Sequence, residues 1–183
     1  MLSSLHKDHL NIVRLLGLLK HKLAAIHAEQ PISYFLIRDV IDYLREVSDK
    51  LHHPKEDMIY EYYLKYRVVE GEVANRLQEE HAKLLEAGTE LKEMVEMILM
   101  DAVIPLDQFT SKLEHFVELQ EAHMNYEEGV IFPLLRGTLT EDDWRHLEQN
   151  WQNRAIGDPL FGAEVSQNFQ ALAKRLSLPQ ASE

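Results

Sequence analysis

The sequence predicts an all-α protein: an up-down-up-down four-helix bundle over residues 1–136, with extra C-terminal helices over 137–183 packed on it. Three observations carry this. Apolar residues recur with a 3.6-residue period through four long segments. The breakers Pro31, Gly71, Pro105 and Gly137 fall between segments or at their ends. A histidine–carboxylate pattern also occurs twice, at matching places in the two halves.

In the first segment Leu5, His9, Ile12, Val13, Leu16, Leu19 and Leu23 form one face, and Lys7, Arg14, Lys20 and Lys22 lie mostly off it. Gln30-Pro31 ends it. The second runs from about Ile32 to about Tyr66 with Ile37, Val40, Ile41, Leu44, Val47 and Leu51 apolar. Pro54 sits inside it. A mid-helix Pro removes a backbone hydrogen bond, so a kink is expected between His52 and Glu56. Gly71 marks a short link to the third segment, about Glu72 to Met100, whose apolar side holds Val73, Leu77, His81, Leu84, Leu85, Leu91, Met94, Val95 and Ile98. After Pro105 the fourth begins near Leu106 or Asp107. It passes Phe109, Leu113, Phe116, Val117, Gln120, His123, Glu127, Val130 and Ile131, weakening at Gly129 and Pro133. Thr140-x-x-Asp143 resembles a capping box that opens another helix. A Gly-Asp-Pro loop follows at 157–159, then a last helix from about Gly162 to Leu176 and a frayed tail, Leu178–Glu183.

Composition narrows the function. At 183 residues, 45% of them hydrophobic, the chain has the size of one domain with a substantial core. No apolar run is long enough to span a membrane, and Met1–Leu10 does not read as a secretory signal. Without cysteine there is no disulfide, thiolate metal site or iron–sulfur cluster. The net charge of −12 comes with no basic stripe, which argues against nucleic acid. A cytoplasmic protein without membrane or nucleic-acid partners is expected, and nothing fixes an oligomeric state.

The repeated pattern carries the chemistry. His9 precedes His52-x-x-x-Glu56 by 43 residues, and His81 precedes His123-x-x-x-Glu127 by 42. A His and a Glu four apart share one helix face. One such pair is weak evidence; its weight comes from placing a pair on segments two and four and a lone His on one and three. The expectation is a cage of four imidazoles and two carboxylates around two metals. Without a cation, an apolar core would hold these groups at high cost. The donor set suits iron, manganese or zinc rather than calcium or copper(I). His53 and Asp57 are also four apart but lie about 100° round the helix, so only one of the two pairs is expected to face fully inward. The half-length symmetry favours His52 and Glu56. Tyr60, Tyr43 and Tyr126 lie within reach of the cage, Gln120 could support a ligand, and Gly88 could leave room for a small gas. His6, His21, His27, His115 and His146 have no partner spacing.

Four stretches, DHLNI at Asp8–Ile12, HHPKED at His52–Asp57, EEHAKL at Glu79–Leu84 and HMNYEEGVIFPLL at His123–Leu135, resemble the hemerythrin-like HHE cation-binding family over residues 1 to about 136. DPLFG at Asp158–Gly162 also looks like the tail of some bacterial members. The resemblance implies that His9, His52, Glu56, His81, His123 and Glu127 hold two iron ions, with both Glu and an oxo or hydroxo group bridging them. It implies a protein that binds, senses or reacts with dioxygen, nitric oxide or peroxide. An alternative is a di-iron enzyme with an electron-donor protein, or an iron donor in nitrosative or oxidative stress repair. The chain departs from the oxygen carriers, which have a second His one turn from the helix-three ligand and a carboxylate five residues after the last His. Here Leu77 and Leu85 flank His81, and Glu127 is four after His123. One ligand fewer is therefore expected, leaving an open position suited to reaction more than carriage. Ferritin-like proteins use Glu-x-x-His, and no Glu here has a His three residues later.

Overall fold

The apolar stripes fold as four rods. A computed structural model describes residues 1–68, 72–152 and 157–177, apart from the side chains at 49 and 72–75. Gly71 and the tail Leu178–Glu183 lie outside the described residues. Helix α1 (Leu2–His27) buries Leu5, His9, Ile12, Leu16, Leu19 and Leu23. Helix α2 (Tyr34–Val47) starts at Ser33, whose hydroxyl accepts the Leu36 N–H. It continues through a π turn (Ser48–His52) into α3 (His53–Arg67). The third rod is α4 (Glu72–Leu99). The fourth is α5 (Leu106–Tyr126), a second π turn (Glu127–Ile131) and α6 (Phe132–Thr138). α1 packs against α2 and α5, and α4 against the same two, closing a four-membered ring.

The π turns sit at equivalent places, each just ahead of a proline. His53 donates its N–H to the Ser48 carbonyl, and Phe132 donates to that of Glu127, each five residues back. Pro54 and Pro133 have no N–H, and their rings would clash with the carbonyl four back. A widened turn accommodates both constraints. Pro54 therefore marks a π turn rather than a plain kink. Pro133 does not weaken the fourth rod, which continues to Thr138. Val13, Leu85 and Val130 were expected on the apolar faces but are exposed. Val13 and Leu85 each follow an inward residue, Ile12 or Leu84, and one position turns a side chain about 100° away.

The core is in two parts. A large cluster is built on Leu15, Leu16, Ile37, Ile41, Leu91, Val95, Phe109 and Phe116. A smaller one at the other end holds Leu5, Ile59, Tyr60, Leu77, Ile131 and Phe132. On every rod the predicted metal-binding residues fall between the two. Among the described residues there is no strand, and no helix is long and apolar enough to cross a membrane.

Helix α7 (Glu141–Asn150) begins with the expected capping box between Thr140 and Asp143. Asp143 also accepts the Tyr62 hydroxyl at 2.7 Å and Arg67 at 2.6 Å, tying α7 to α3. The last helix is shorter than its sequence suggests. α8 spans Gln170–Arg175, after a 3-10 turn at Gln167–Phe169. The residues ahead of it wrap around Asp158 instead. Its Oδ1 accepts the N–H groups of Leu160 and Phe161, and its Oδ2 accepts the buried Tyr43 hydroxyl, all at 2.8 Å. Leu160, Phe169 and Leu172 then join the large cluster. A Cβ on Gly162 would lie 2.3 Å from the Asp158 carbonyl oxygen. Gly162→Ala should therefore open this turn and lower stability by about 2 kcal/mol. Denaturant unfolding measures this, and a variant as stable as the parent contradicts it.

Candidate metal centre

His9 comes from α1, His52 and Glu56 from the first π turn and α3, His81 from α4, and His123 and Glu127 from α5 and the second π turn. All six are buried in one layer. The structure adds His53, also buried, its ring stacked on His81 at 4.1 Å and 16°. Only the His52/Glu56 pair faces fully inward, as expected, but His53 of the other pair is buried beside it. On a regular helix positions 52 and 53 diverge by about 100°, but the π turn ending at His52 changes the local winding and both rings enter the core. Asp57 stays half-buried.

The donor atoms form two groups, His53, Glu56, His81 and His123, and His9, His52, Glu56 and Glu127, each within 4.8 Å. Glu56 belongs to both: Oε1 is 3.1 Å from His52 Nε2, and Oε2 is 3.6 Å from His81 Nε2. Glu127 spans them as well. Its Oε2 lies 3.2 Å from His9 Nε2 and 3.4 Å from His123 Nε2, and its Oε1 lies 3.9 Å from His81 Nε2. Each carboxylate therefore faces imidazoles of both groups.

Four further carboxylates hold the imidazoles from behind. Nδ1 of His9 meets Glu128 at 2.8 Å, that of His52 meets Asp8 at 3.4 Å, that of His81 meets Asp57 at 3.0 Å and that of His123 meets Glu80 at 3.0 Å. A protonated Nδ1 donating to each acid turns the Nε2 lone pair inward. Motif spacing missed these acids, although the sequence carries a signal. Each sits next in the chain to an inner residue (Asp8 by His9, Asp57 by Glu56, Glu80 by His81, Glu128 by Glu127) but serves a histidine of another helix. His6, expected to lack a partner, shares Glu128 with His9 at 2.8 Å.

The residues fit a cation. Both oxygens of Glu56 and Glu127 and the Nε2 atoms of His81 and His123 are buried without a hydrogen-bond partner among the described residues. The Nε2 atoms of His9 and His52 face each other at 3.0 Å. Two inward lone pairs at that distance repel unless a proton or metal lies between them. Without a metal, a proton on one of the two Nε2 atoms relieves this repulsion, and the surrounding carboxylates favour protonated imidazoles. Burial opposes charge on His9, yet Glu127 and Glu56 outweigh it and raise its pKa to about 10. At His52 burial is likewise outweighed, by Glu56 and Asp8, giving about 9. At His81 Asp57, Glu127 and Glu56 outweigh burial, giving about 11. Burial and then His81 hold His53 well below 6.5, so it is neutral. Burial also opposes the Glu56 carboxylate, but His52 leads the histidines that keep it ionised.

Histidines raised above their ordinary 6.5 stabilise the metal-free fold fully below that pH, and the contribution is lost as pH rises through about 9 to 11. Chelator-treated protein should lose stability steadily from pH 7 to 10 in denaturant melts; stability that rises over this range contradicts the assignment. Metal must displace these protons, so metal affinity should increase over the same range.

Other sequence expectations resolve locally. Tyr43 is committed to Asp158, and Tyr126 lies under Arg76 at 3.7 Å. A Cβ at Gly88 would meet Phe116 at 3.3 Å, so this glycine permits close helix packing rather than leaving room for a gas. Gln120 is buried and lines a small cavity with Ser48 and His53. Beyond those expectations, Trp144 packs against the smaller cluster, and Phe161 lies edge-on to Tyr43. No curated protein matches the chain. The family model described as Hemerythrin HHE cation binding domain matches residues 1–135. With that match over most of its length, and a buried histidine–glutamate cluster that could hold metal, the chain belongs to the hemerythrin HHE cation-binding domain family.

Proposed function

We propose that the cluster binds two iron ions, held by His53, His81 and His123 on one side and by His9 and His52 on the other, with Glu56 and Glu127 shared. The observation that carries this is the pair of buried carboxylates, each reaching both imidazole groups with oxygens that no protein donor satisfies. His53 supplies an imidazole that the sequence placed outside the cage. The expected missing ligand is thus offset on the His81 side, and the side with fewer imidazoles is that of His9 and His52. When bound, the ions supply Lewis-acid and electron-transfer chemistry toward dioxygen, nitric oxide or peroxide. The protein's own part is to orient the imidazoles through the four outer acids, to exclude water with the two apolar clusters, and to hold or release protons at the imidazole nitrogens. Manganese or zinc would satisfy the same donors. Catalytic use would need an electron-donor protein, and a cytoplasmic setting suits a cysteine-free chain.

Metal analysis of protein purified without added metal tests this. About two irons per chain with near-ultraviolet charge-transfer absorption is expected. Iron-free protein that takes up no divalent metal overturns it. Mixing the reduced protein with each small molecule then separates a stable adduct from turnover.

A further inference from the structure

A cavity of about 250 Å³ lies where α1, the first π turn and the start of α3 meet the C-terminal extension. None of the histidines and glutamates of the metal layer lines it. Trp151 and the turn around Asp158 supply one wall, and both lie beyond the matched family domain at residues 1–135.

Three polar side chains reach this cavity with donors to spare. Asn11 is 8% exposed, and its amide makes no hydrogen bond to a described residue. A buried amide in that state destabilises the fold unless a partner fills the space it faces. Lys55 has a side chain only 14% exposed. Its Nζ donates to the Ser4 hydroxyl at 3.1 Å and lies 5.7 Å over the Trp151 ring, while Asp8 stands 3.9 Å away, too far for a hydrogen bond. An ammonium has three N–H groups to place, so Lys55 is under-satisfied. Lys7 lines the same cavity and pairs with no acid among the described residues, in a chain with 31 Asp and Glu against 19 Lys and Arg.

Two acids also border the cavity, and both are engaged. Asp158 accepts two backbone N–H groups and the Tyr43 hydroxyl, and Asp8 stands behind His52. Their charges favour an occupant with one negative charge over a multiply charged phosphate. Val47, Leu51, Phe161 and the Trp151 ring make the rest of the lining apolar, which suits a hydrocarbon body. A cavity of about 150 Å³ already takes a benzene ring, so there is room here for a ring and its carboxylate.

We infer that this cavity binds a small organic monocarboxylate. Its carboxylate meets Lys55, Lys7 and the Asn11 amide, and its hydrocarbon body lies against Trp151. The site does not require metal in the neighbouring layer.

Titration calorimetry on the full chain, as purified, tests this with acetate, butyrate and benzoate. Inorganic phosphate and benzyl alcohol are the comparison ligands. At least one carboxylate should bind one-to-one and about tenfold or more tightly than either comparison ligand. Lys55→Met keeps most of the stem and removes the charge; it should weaken that carboxylate about tenfold, as for one lost hydrogen bond to a charged group. Lys7→Met, at an exposed position, should weaken it as well without changing the melting temperature, and it carries the test if Lys55→Met does not fold. No saturable binding of any carboxylate overturns the inference. Phosphate bound as tightly overturns it in favour of an inorganic anion, and benzyl alcohol bound as tightly overturns it in favour of a merely apolar cavity. Carboxylate affinity indifferent to both lysines places the ligand elsewhere, at the metal layer included, and also overturns it.

Discussion

On the proposed two-metal reading, Glu127→Gln should reduce bound metal from two ions per chain to at most one, with an affinity loss of about 100-fold or more, some 2.8 kcal/mol. The substitution keeps the volume of a fully buried side chain while removing its charge and one acceptor. Glu127 stands 3.2 Å from His9 Nε2 and 3.4 Å from His123 Nε2, so on the two-metal reading neither position keeps its full donor set. A second consequence appears without metal. Glu127 is among the groups that raise the His9 pKa, so the alkaline loss of stability should shrink in the variant. Metal analysis and melts with and without added metal measure both effects. Two tightly held ions in the variant would show that Glu127 is not shared between them.

On the same two-metal reading, His53→Ala should weaken one of the two ions by about 10- to 100-fold and leave the other in place. His53 shares its donor group with Glu56, His81 and His123, and none of its donor atoms is grouped with His9 or His52. A titration with a spectroscopically visible divalent metal should change from two strong steps to one strong and one weak. If His53 is only a packing residue stacked on His81, the variant will lose metal-free stability and still take up both ions strongly. This experiment separates the two roles of the adjacent histidines, which helical geometry alone merged into one choice.

Much of the fold was legible because the bundle is patterned at a single period. The stripes of α1, α4 and α5, the Thr140 capping box and the breakers Pro31 and Pro105 all report local structure, which residue order encodes directly. The six histidines and glutamates of the repeated pattern were legible for the same reason, and the structure brings them into one layer. The errors share a different cause. His53 and the continuation past Pro133 depend on a backbone that winds more widely than an α-helix, and periodicity read at 100° per residue cannot register that. The outer acids Asp8, Asp57, Glu80 and Glu128 each act on a histidine of another helix, a relation set by packing rather than by spacing. The segment before α8 is held by Asp158 and Tyr43, 115 positions apart, so its helical composition was overridden from a distance.

The division of the core also governs how the molecule comes apart. A layer of seven ionisable side chains separates the large cluster from the smaller one, so hydrocarbon contact does not run unbroken along the bundle. In the metal-free chain the end bearing Leu5, Tyr60, Leu77 and Phe132 is joined to the rest across this layer by the helices themselves and by close histidine–glutamate pairs rather than by hydrocarbon packing. That makes it a natural unit of sub-global opening, distinct from global unfolding. A metal pair bonded to all four rods would rivet the two ends together, so that they would fray or persist as one.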